Sequence, residues 1–321
     1  MRIAVTGSIA TDHLMTFPGR FVEQLLPDQL ASLSVSFLVE ELEVRRGGVA
    51  ANIAFGMGVL GLDPLLVGAV GDDFADYRAW LERHGVDTSG VRVSDLRHTA
   101  RFVCTTDADH NQIASFYAGA MSEAREIELA ALGPVDLVVV SPNDPAAMLR
   151  HTEECRERGI RFVADPSQQL SSLEGEQVRA LVDGADVLLT NVYESAMTER
   201  KTGWSAAEVL DRVGVRVTTH GAKGAVIEQA GEAALSVPVV PAAEVRDPTG
   251  GGDAFRAGFL SGRAWGLGLE RSAQVGSLLA TLCLETVGTQ EYAVQPGAAL
   301  QRLEQAYGAD AAAEIAPHLA P

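Results

Sequence analysis

Residues 247–259 read Asp-Pro-Thr-Gly-Gly-Gly-Asp-Ala-Phe-Arg-Ala-Gly-Phe, and their types and spacing could carry group-transfer chemistry. Three consecutive glycines, Gly250, Gly251 and Gly252, let the main chain approach a ligand closely. The N–H groups at the start of the helix expected after them suit a negatively charged phosphoryl group. Asp253, in the first turn of that helix, is placed to accept the proton of a hydroxyl beside the same phosphoryl group. Phosphoryl transfer needs both parts, stabilisation of charge and a positioned nucleophile. A Gly-Asp pair by itself more often marks a helix start, because acidic residues favour helix N-termini. The longer pattern, with its Asp-Pro-Thr-Gly lead-in and Ala257-Gly258 for close helix packing, is far more specific. Asp253 is therefore read as a base, with Gly250–Gly252 as the charge-stabilising turn.

Other routes to phosphate or dinucleotide binding fail on the sequence. No GxxxxGK[ST] string occurs, and the two lysines, Lys201 and Lys223, do not follow glycine, which removes P-loop chemistry. Gly56, Gly58 and Gly61 spell GxGxxG and would predict NAD binding in a dehydrogenase. They follow the helix-like run Ala50–Phe55 where a strand should end, so helix packing is the better reading. Cys104, Cys155 and Cys283 lie far apart without CxxC spacing, and the seven histidines form no HxH or HxxxH pair. Neither a disulfide framework nor a zinc site is indicated. With 43 acidic and 25 basic residues the net charge is −18, which argues against a nucleic-acid partner. No uncharged apolar run approaches the roughly 18 residues of a membrane span. Met1–Gly7 reads as a strand entering a turn, and a cytoplasmic protein is expected.

The elements that must position these residues follow from hydrophobic periodicity. Ile3–Val5, Leu65–Val70, Leu137–Val140, Arg161–Ala164, Val187–Leu189 and Val215–Thr219 look like buried strands, alternating with amphipathic stretches such as Pro145–Arg158 and Glu176–Val182. This predicts a doubly wound α/β fold, a mainly parallel sheet flanked by helices, spanning 1–321 as one domain. Two segments break the alternation. Ser34–Val44 is extended, and Arg101–Thr106 with Gln112–Tyr117 flank a hairpin turn at Asp107–Asn111. They are expected to build a small β-sheet lid from insertions at about 12–46 and 93–118, closing over the carboxyl ends of the sheet strands. Its open edges predict a homodimer that pairs two lids. With the turn centred on Asp109, Phe102 and Phe116 face each other as a cross-strand pair. Such pairs are more often packing, although two rings could also sandwich a purine, at about 1–3 kcal/mol per stacked base. The stretch Ala298–Ile315 reads as one or two closing helices.

Gly47-Gly48-Val49-Ala50-Ala51-Asn52-Ile53-Ala54, continuing to Gly61 and Gly71, resembles the N-terminal motif of ribokinase-like (PfkB) kinases, and Asp247–Phe259 resembles their C-terminal motif. Physically, the diglycine lets a substrate hydroxyl rest against the main chain, and Asn52 offers a donor and an acceptor to neighbouring hydroxyls. The resemblance implies ATP and Mg²⁺. Asn191-Val192-Tyr193-Glu194 is similar to the family's NxxE element, implying that Glu194 organises Mg²⁺ through water with Asn191 beside it. Thr219–Gly224 is similar to the nucleotide-side turn, implying Thr219, Gly221 and Gly224 along ATP and Lys223 at its phosphates. Family members are often activated by a monovalent cation, which places potassium at Asp247 and Thr249, near the Thr286–Thr289 loop.

More closely, Thr6–Leu14, Ala114–Tyr117, Ala164–Leu170 and Leu284–Glu291 resemble adenosine kinases of the actinobacterial type. That resemblance implies Ser8, Asp12, Gly48 and Asn52 around a ribose, and Ser36, Phe102, Phe116, Gln168 and Gln169 nearer a base. Asp12 has a plain chemical reason, since a carboxylate accepts two hydrogen bonds from a vicinal diol. The expected reaction is transfer of the γ-phosphate of ATP to the 5′-hydroxyl of adenosine. A sugar kinase on the same scaffold and a catalytically silent nucleoside-binding protein are the alternatives.

Overall fold

Strands covered by helices on both faces are buried along their whole length, and the short aliphatic runs of this chain meet that condition. The structure, a computed structural model, describes residues 1–25, 32 and 34–319. Its strands are β1 (Ile3–Thr6), β2 (Ala10–Thr16), β3 (Glu41–Gly47), β4 (Leu65–Val70), β5 (Asp87–Val93), β6 (Ala100–Thr106), β7 (Gln112–Tyr117), β8 (Leu137–Val140), β9 (Arg161–Ala164), β10 (Val187–Asn191), β11 (Val215–Thr219), β12 (Ala225–Glu228) and β13 (Leu235–Val237). Its helices are α1 (Phe21–Gln24), α2 (Val49–Val59), α3 (Ala75–Arg83), α4 (Pro145–Glu157), α5 (Gly175–Val182), α6 (Val192–Thr202), α7 (Ala206–Leu210), α8 (Gly251–Ala264), α9 (Leu269–Leu284), α10 (Pro296–Tyr307) and α11 (Ala309–Ile315). None of the described helices is long and apolar enough to cross a membrane.

The large sheet runs β13-β12-β11-β10-β9-β8-β1-β4-β5, parallel from β11 to β5 with β12 and β13 added antiparallel. Successive side chains point to opposite faces. Ile3, Val5, Leu66, Val70, Leu137 and Val139 therefore join one core with residues of α2, α8 and α9. Ala4, Leu65, Val67, Val138 and Val140 join another with residues of α4 and α5. This is the ribokinase-like doubly wound arrangement expected from the sequence.

A second sheet, β3-β2-β6-β7, stands apart from the first. The chain enters it directly from β1, with only residues 7–9 between β1 and β2. The expected hairpin forms with Phe102 opposite Phe116 and Thr106 opposite Gln112. Its turn is tied by the Asp107 carboxylate, which accepts from the backbone N–H of Asp109 and Asn111. Two details differ from the sequence reading. Strand β2 carries mixed polar residues, because only one face of the small sheet is covered, and it shows no apolar run in the sequence. The extended run beginning at Ser34 pairs as a strand only from Glu41; before that, Phe37 packs between Phe17 and Phe21 with ring centroids 5.0 and 4.9 Å away. Of the first expected insertion, residues 26–31 and 33 lie outside the described ones, as do the last two residues of the expected domain.

Candidate active site

Helix α8 begins at the triglycine turn. Gly250 is its N-cap, with φ +79°, a left-handed conformation that glycine adopts without penalty. A Cβ there would also lie 2.8 Å from Thr289 Cγ2. No side chain caps this helix, so the first N–H groups of α8 stay available to a ligand. Asp253, its third residue, opens onto a cavity of about 260 Å³. The other wall begins at Gly48, whose φ is +94° and whose missing Cβ would sit 2.6 Å from Ser8 O and 2.7 Å from Ala10 N. Helix α2 starts at the next residue, and the Ser8 hydroxyl accepts from the Val49 N–H at 3.0 Å.

That cavity gathers most of the residues singled out in the sequence. Ser8, Asp12, Gly48, Asn52, Phe102, Phe116, Gln168, Gln169, Thr249, Gly250 and Asp253 all line it. Asp12, Phe102 and Phe116 are in register on β2, β6 and β7, so a carboxylate and two phenyl rings form one row across the small sheet. Burial raises the pKa of Asp12 and Arg45 lowers it. Gln168 is exposed, whereas the Gln169 amide is engaged, donating to Asn143 O at 2.8 Å and accepting from Ser172 Oγ at 2.7 Å. Ser36 is a correction. It is exposed and not among the lining residues, because the inward anchoring of Phe37 turns its neighbour outward.

Asn52 also departs from expectation. Its Nδ2 donates to Asp253 Oδ2 at 2.9 Å, and its Oδ1 lies 2.9 Å from both Thr289 Oγ1 and Gln290 Nε2. Gln290 Nε2 continues to Tyr77 Oη at 2.5 Å, and Tyr77 donates to Gly47 O at 2.9 Å. The amide is thus spent chiefly on orienting Asp253, with one Nδ2 hydrogen left for a substrate. Asp253 keeps a partial opening to the cavity while protein surrounds it. Burial raises its pKa, Arg256 and the Asn52 hydrogen bond lower it, and Glu194 adds to the rise. Sequence reasoning missed Tyr77, Gln290, Asp165 and Arg256. Only Arg256, a charge inside an otherwise small and apolar helix, left a visible signal.

On the far side of the glycine turn lies a second cavity of about 490 Å³, mostly apolar. Thr219, Gly221 and Gly224 line it together with Gly251, Gly252 and Phe255. Lys223 is exposed and is not among its lining residues, nor is Asn191. Instead, Asn191 and Glu194 close a capping box on α6: Asn191 Oδ1 accepts from Glu194 N at 2.8 Å, and Glu194 Oε2 accepts from Asn191 N at 2.8 Å. Glu194 turns its remaining capacity toward Ser167 Oγ at 3.3 Å and Arg256 Nη2 at 3.6 Å. Gly56 lies within α2, where an added Cβ would be 2.5 Å from Ala257 Cβ, so the GxGxxG string serves helix packing.

Comparison with known proteins agrees with this arrangement. A family model described as pfkB family carbohydrate kinase matches residues 7–295. A nucleoside kinase of Methanothermobacter thermautotrophicus is 32% identical over 287 residues, spanning 88% of this chain and 92% of that protein. Among solved structures, the Burkholderia thailandensis nucleoside kinase in complex with inosine has a TM-score of 0.83 at 34% identity, covering 96% of this chain and 98% of that one. The nucleoside kinase of Methanocaldococcus jannaschii, an archaeal member of the ribokinase family, also has a TM-score of 0.83, at 27% identity over 95% of this chain and 99% of that one. Two cavities meeting at a triglycine turn, on this fold and with both motifs in place, have the same explanation as these similarities: the chain belongs to the pfkB family of carbohydrate kinases.

Proposed function

We propose that the protein is a nucleoside kinase that transfers the γ-phosphoryl group of ATP to the 5′-hydroxyl of adenosine, a reaction suited to purine salvage. The observation that carries the reading is the in-register row Asp12, Phe102 and Phe116 on the wall facing Asp253. A carboxylate suits the ribose diol, and the phenyl rings suit a purine face, from which a free sugar would gain little. The similar proteins named as nucleoside kinases, one of them bound to inosine, support the same substrate class.

In this mechanism Asp253 removes the 5′-hydroxyl proton as the oxygen attacks phosphorus in line, and the N–H groups of Gly251 and Gly252 face the charge on the transferring group. The nucleotide lies in the second cavity, along Thr219, Gly221 and Gly224. The small sheet acts as a lid that excludes water and suppresses ATP hydrolysis. Glu194 Oε2 is taken by the Asn191 N–H and Arg256, but Oε1 meets only the Ser167 hydroxyl at 3.3 Å, so this hard oxygen could hold a magnesium ion through that ion's own waters, and the ion would offset phosphate charge. Potassium does not fit at Asp247 and Thr249. Asp247 Oδ1 accepts from Thr249 N at 2.9 Å, and Oδ2 accepts from Gly288 N at 3.1 Å and Arg45 Nη1 at 3.2 Å, so a guanidinium and two N–H groups take the place of a cation.

ADP release with adenosine, inosine, ribose and fructose tests the reading. Adenosine should give the highest kcat/KM, and Asp253→Asn should abolish turnover without unfolding the chain. A free sugar preferred by more than about tenfold would replace the nucleoside reading by a sugar-kinase one. Tight adenosine binding without ADP release would favour a silent binding protein.

A further inference from the structure

Beneath the glycine turn lies a buried ion pair, Asp165 with Arg256, that the reaction as described does not use. Asp165, at the carboxyl end of β9, is fully buried, and Arg256 Nη2 stands 2.8 Å from its Oδ1. The same Nη2 is 3.6 Å from Glu194 Oε2. A Cβ on Gly252 would lie 2.9 Å from Arg256 Nη1, so the guanidinium packs directly under the turn. Ser167, whose hydroxyl meets Glu194, has φ +42°, a conformation uncommon for a residue with a side chain.

The cluster is badly built for stability alone. Asp165 Oδ2 and Arg256 Nε have no hydrogen-bond partner among the described residues, and Asp165 Oδ1 meets only the Arg256 guanidinium. Buried ion pairs of this kind are often no better for folding than apolar residues of the same volume. Strained backbone likewise tends to gather at functional sites. The charged groups around Asp253 are Arg256 on its own helix, Glu194 on α6 and Asp165 after β9, so one cation serves three carboxylates. Cys283 and Tyr292 also face this region; burial lifts the Cys283 thiol to about 12 and the Tyr292 hydroxyl well above its usual value, leaving both neutral. Without Arg256, mutual repulsion would drive one of the three carboxylates to take up a proton.

We infer that Arg256 is a positioning residue for phosphoryl transfer, anchored by Asp165, holding Glu194 in place beneath the Gly250–Gly252 turn and setting its charge one helical turn from Asp253 on α8. The inference rests on the kinase reading above. Burial pushes Asp165 up to about 7 even with Arg256 beside it, which agrees with a cation shared among several acids.

The decisive variant is the double change Asp165→Asn with Arg256→Met, which removes both charges and leaves no orphaned ion to unfold the protein. It should melt near the parent's temperature and keep KM for nucleoside and ATP within a few-fold, while kcat falls by about 100-fold, the scale expected when a preorganised charged group is lost. The acid limb of kcat/KM should move to higher pH, because Asp253 loses the cation that favours its ionised form. Arg256→Lys should retain clearly more turnover than Arg256→Met at equal or lower stability. An active parent whose double variant turns over normally, or equal turnover for the two single Arg256 variants, overturns the positioning role alone. A parent inactive toward every nucleoside overturns the functional reading, and this role with it.

Discussion

Replacing Asn52 with leucine tests how the candidate base is held. The orientation of the Asn52 amide is fixed by Gln290 Nε2, which donates to Oδ1 at 2.9 Å, so its NH₂ group faces Asp253. Leucine has a similar volume and no donor. A hydrogen bond to a charged group contributes about 1.5–3 kcal/mol, and one pKa unit corresponds to about 1.4 kcal/mol, so its loss is equivalent to about 1–2 units. The sign follows from the charge state. Burial already holds Asp253 above the usual carboxylate range, and the Asn52 bond favours its ionised form, so losing the bond raises the pKa further. A base must be ionised to work, and activity disappears as pH falls through its pKa. The acid limb of the kcat/KM profile, which reports the free enzyme, should therefore move up by about 1–2 pH units. Folding should survive, since Thr289 keeps Arg46 O at 2.9 Å and Gln290 keeps Tyr77 Oη, giving a cost of about 1–3 kcal/mol in a urea titration. An unmoved acid limb in a folded variant would refute the claim that Asn52 sets the state of Asp253.

Two further outcomes bear on substrate and cation. Phe116 is 54% exposed, so Phe116→Ala should leave the melting temperature almost unchanged while lowering kcat/KM for adenosine by about 5–150-fold, the equivalent of about 1–3 kcal/mol for one stacked ring. Ribose should be nearly indifferent to the same change, and equal losses for both acceptors would remove the stacking argument. Turnover should be alike in potassium, sodium or tetramethylammonium salts at fixed ionic strength, because Arg45 already faces Asp247. A strong stimulation by potassium alone would show that the guanidinium gives way to an ion.

The legible parts of this protein were those with a period or a rigid spacing. Strands β4 and β8 begin and end where the apolar runs do, since a strand buried on both faces is apolar throughout; β9 and β11 keep the expected bounds although Arg161, Arg216, Thr218 and Thr219 interrupt their apolar character. The Phe102–Phe116 pair followed from counting outward from a turn, because hairpin register is set by the turn. Strand β2 was hidden: its sequence Ala-Thr-Asp-His-Leu-Met-Thr follows the needs of a half-covered sheet and a ligand cavity, not those of a core. Asn191 and Glu194 show another limit. Their spacing satisfies a helix capping box as fully as it satisfies a kinase motif, and only the geometry reveals that the cap is made. Asp165 and Arg256 are far apart in sequence and meet only because β9 and α8 converge at the carboxyl edge of the sheet.

The two walls of the site are held by different means, and this bears on what can move. Asp253 sits on α8, packed against α9 and α2, and its partner Asn52 lies on α2, so base and orienting amide belong to one rigid body. Helix α2 is in turn tied to the end of β1, through Val49 N to Ser8 Oγ and through the main-chain contact of Gly48 with Ser8. Asp12, Phe102 and Phe116 belong to the other body. Their sheet joins the first through residues 7–9, where Gly7 N bonds to Val67 O at 3.1 Å and Ser8 N to Pro142 O at 2.8 Å, and through β3, which runs by way of Gly48 into α2 and whose Arg46 O and Gly47 O accept from Thr289 and Tyr77. A displacement of the small sheet therefore alters the distance from diol and base to Asp253 and is also passed, through Thr289, Tyr77 and Gln290, to the Asn52 amide. Substrate closure and readiness of the base are coupled through β3 in this architecture, so a change at Phe116, on the far strand of the small sheet, should act on KM and on water exclusion, whereas a change in β3 should also move the protonation state of Asp253.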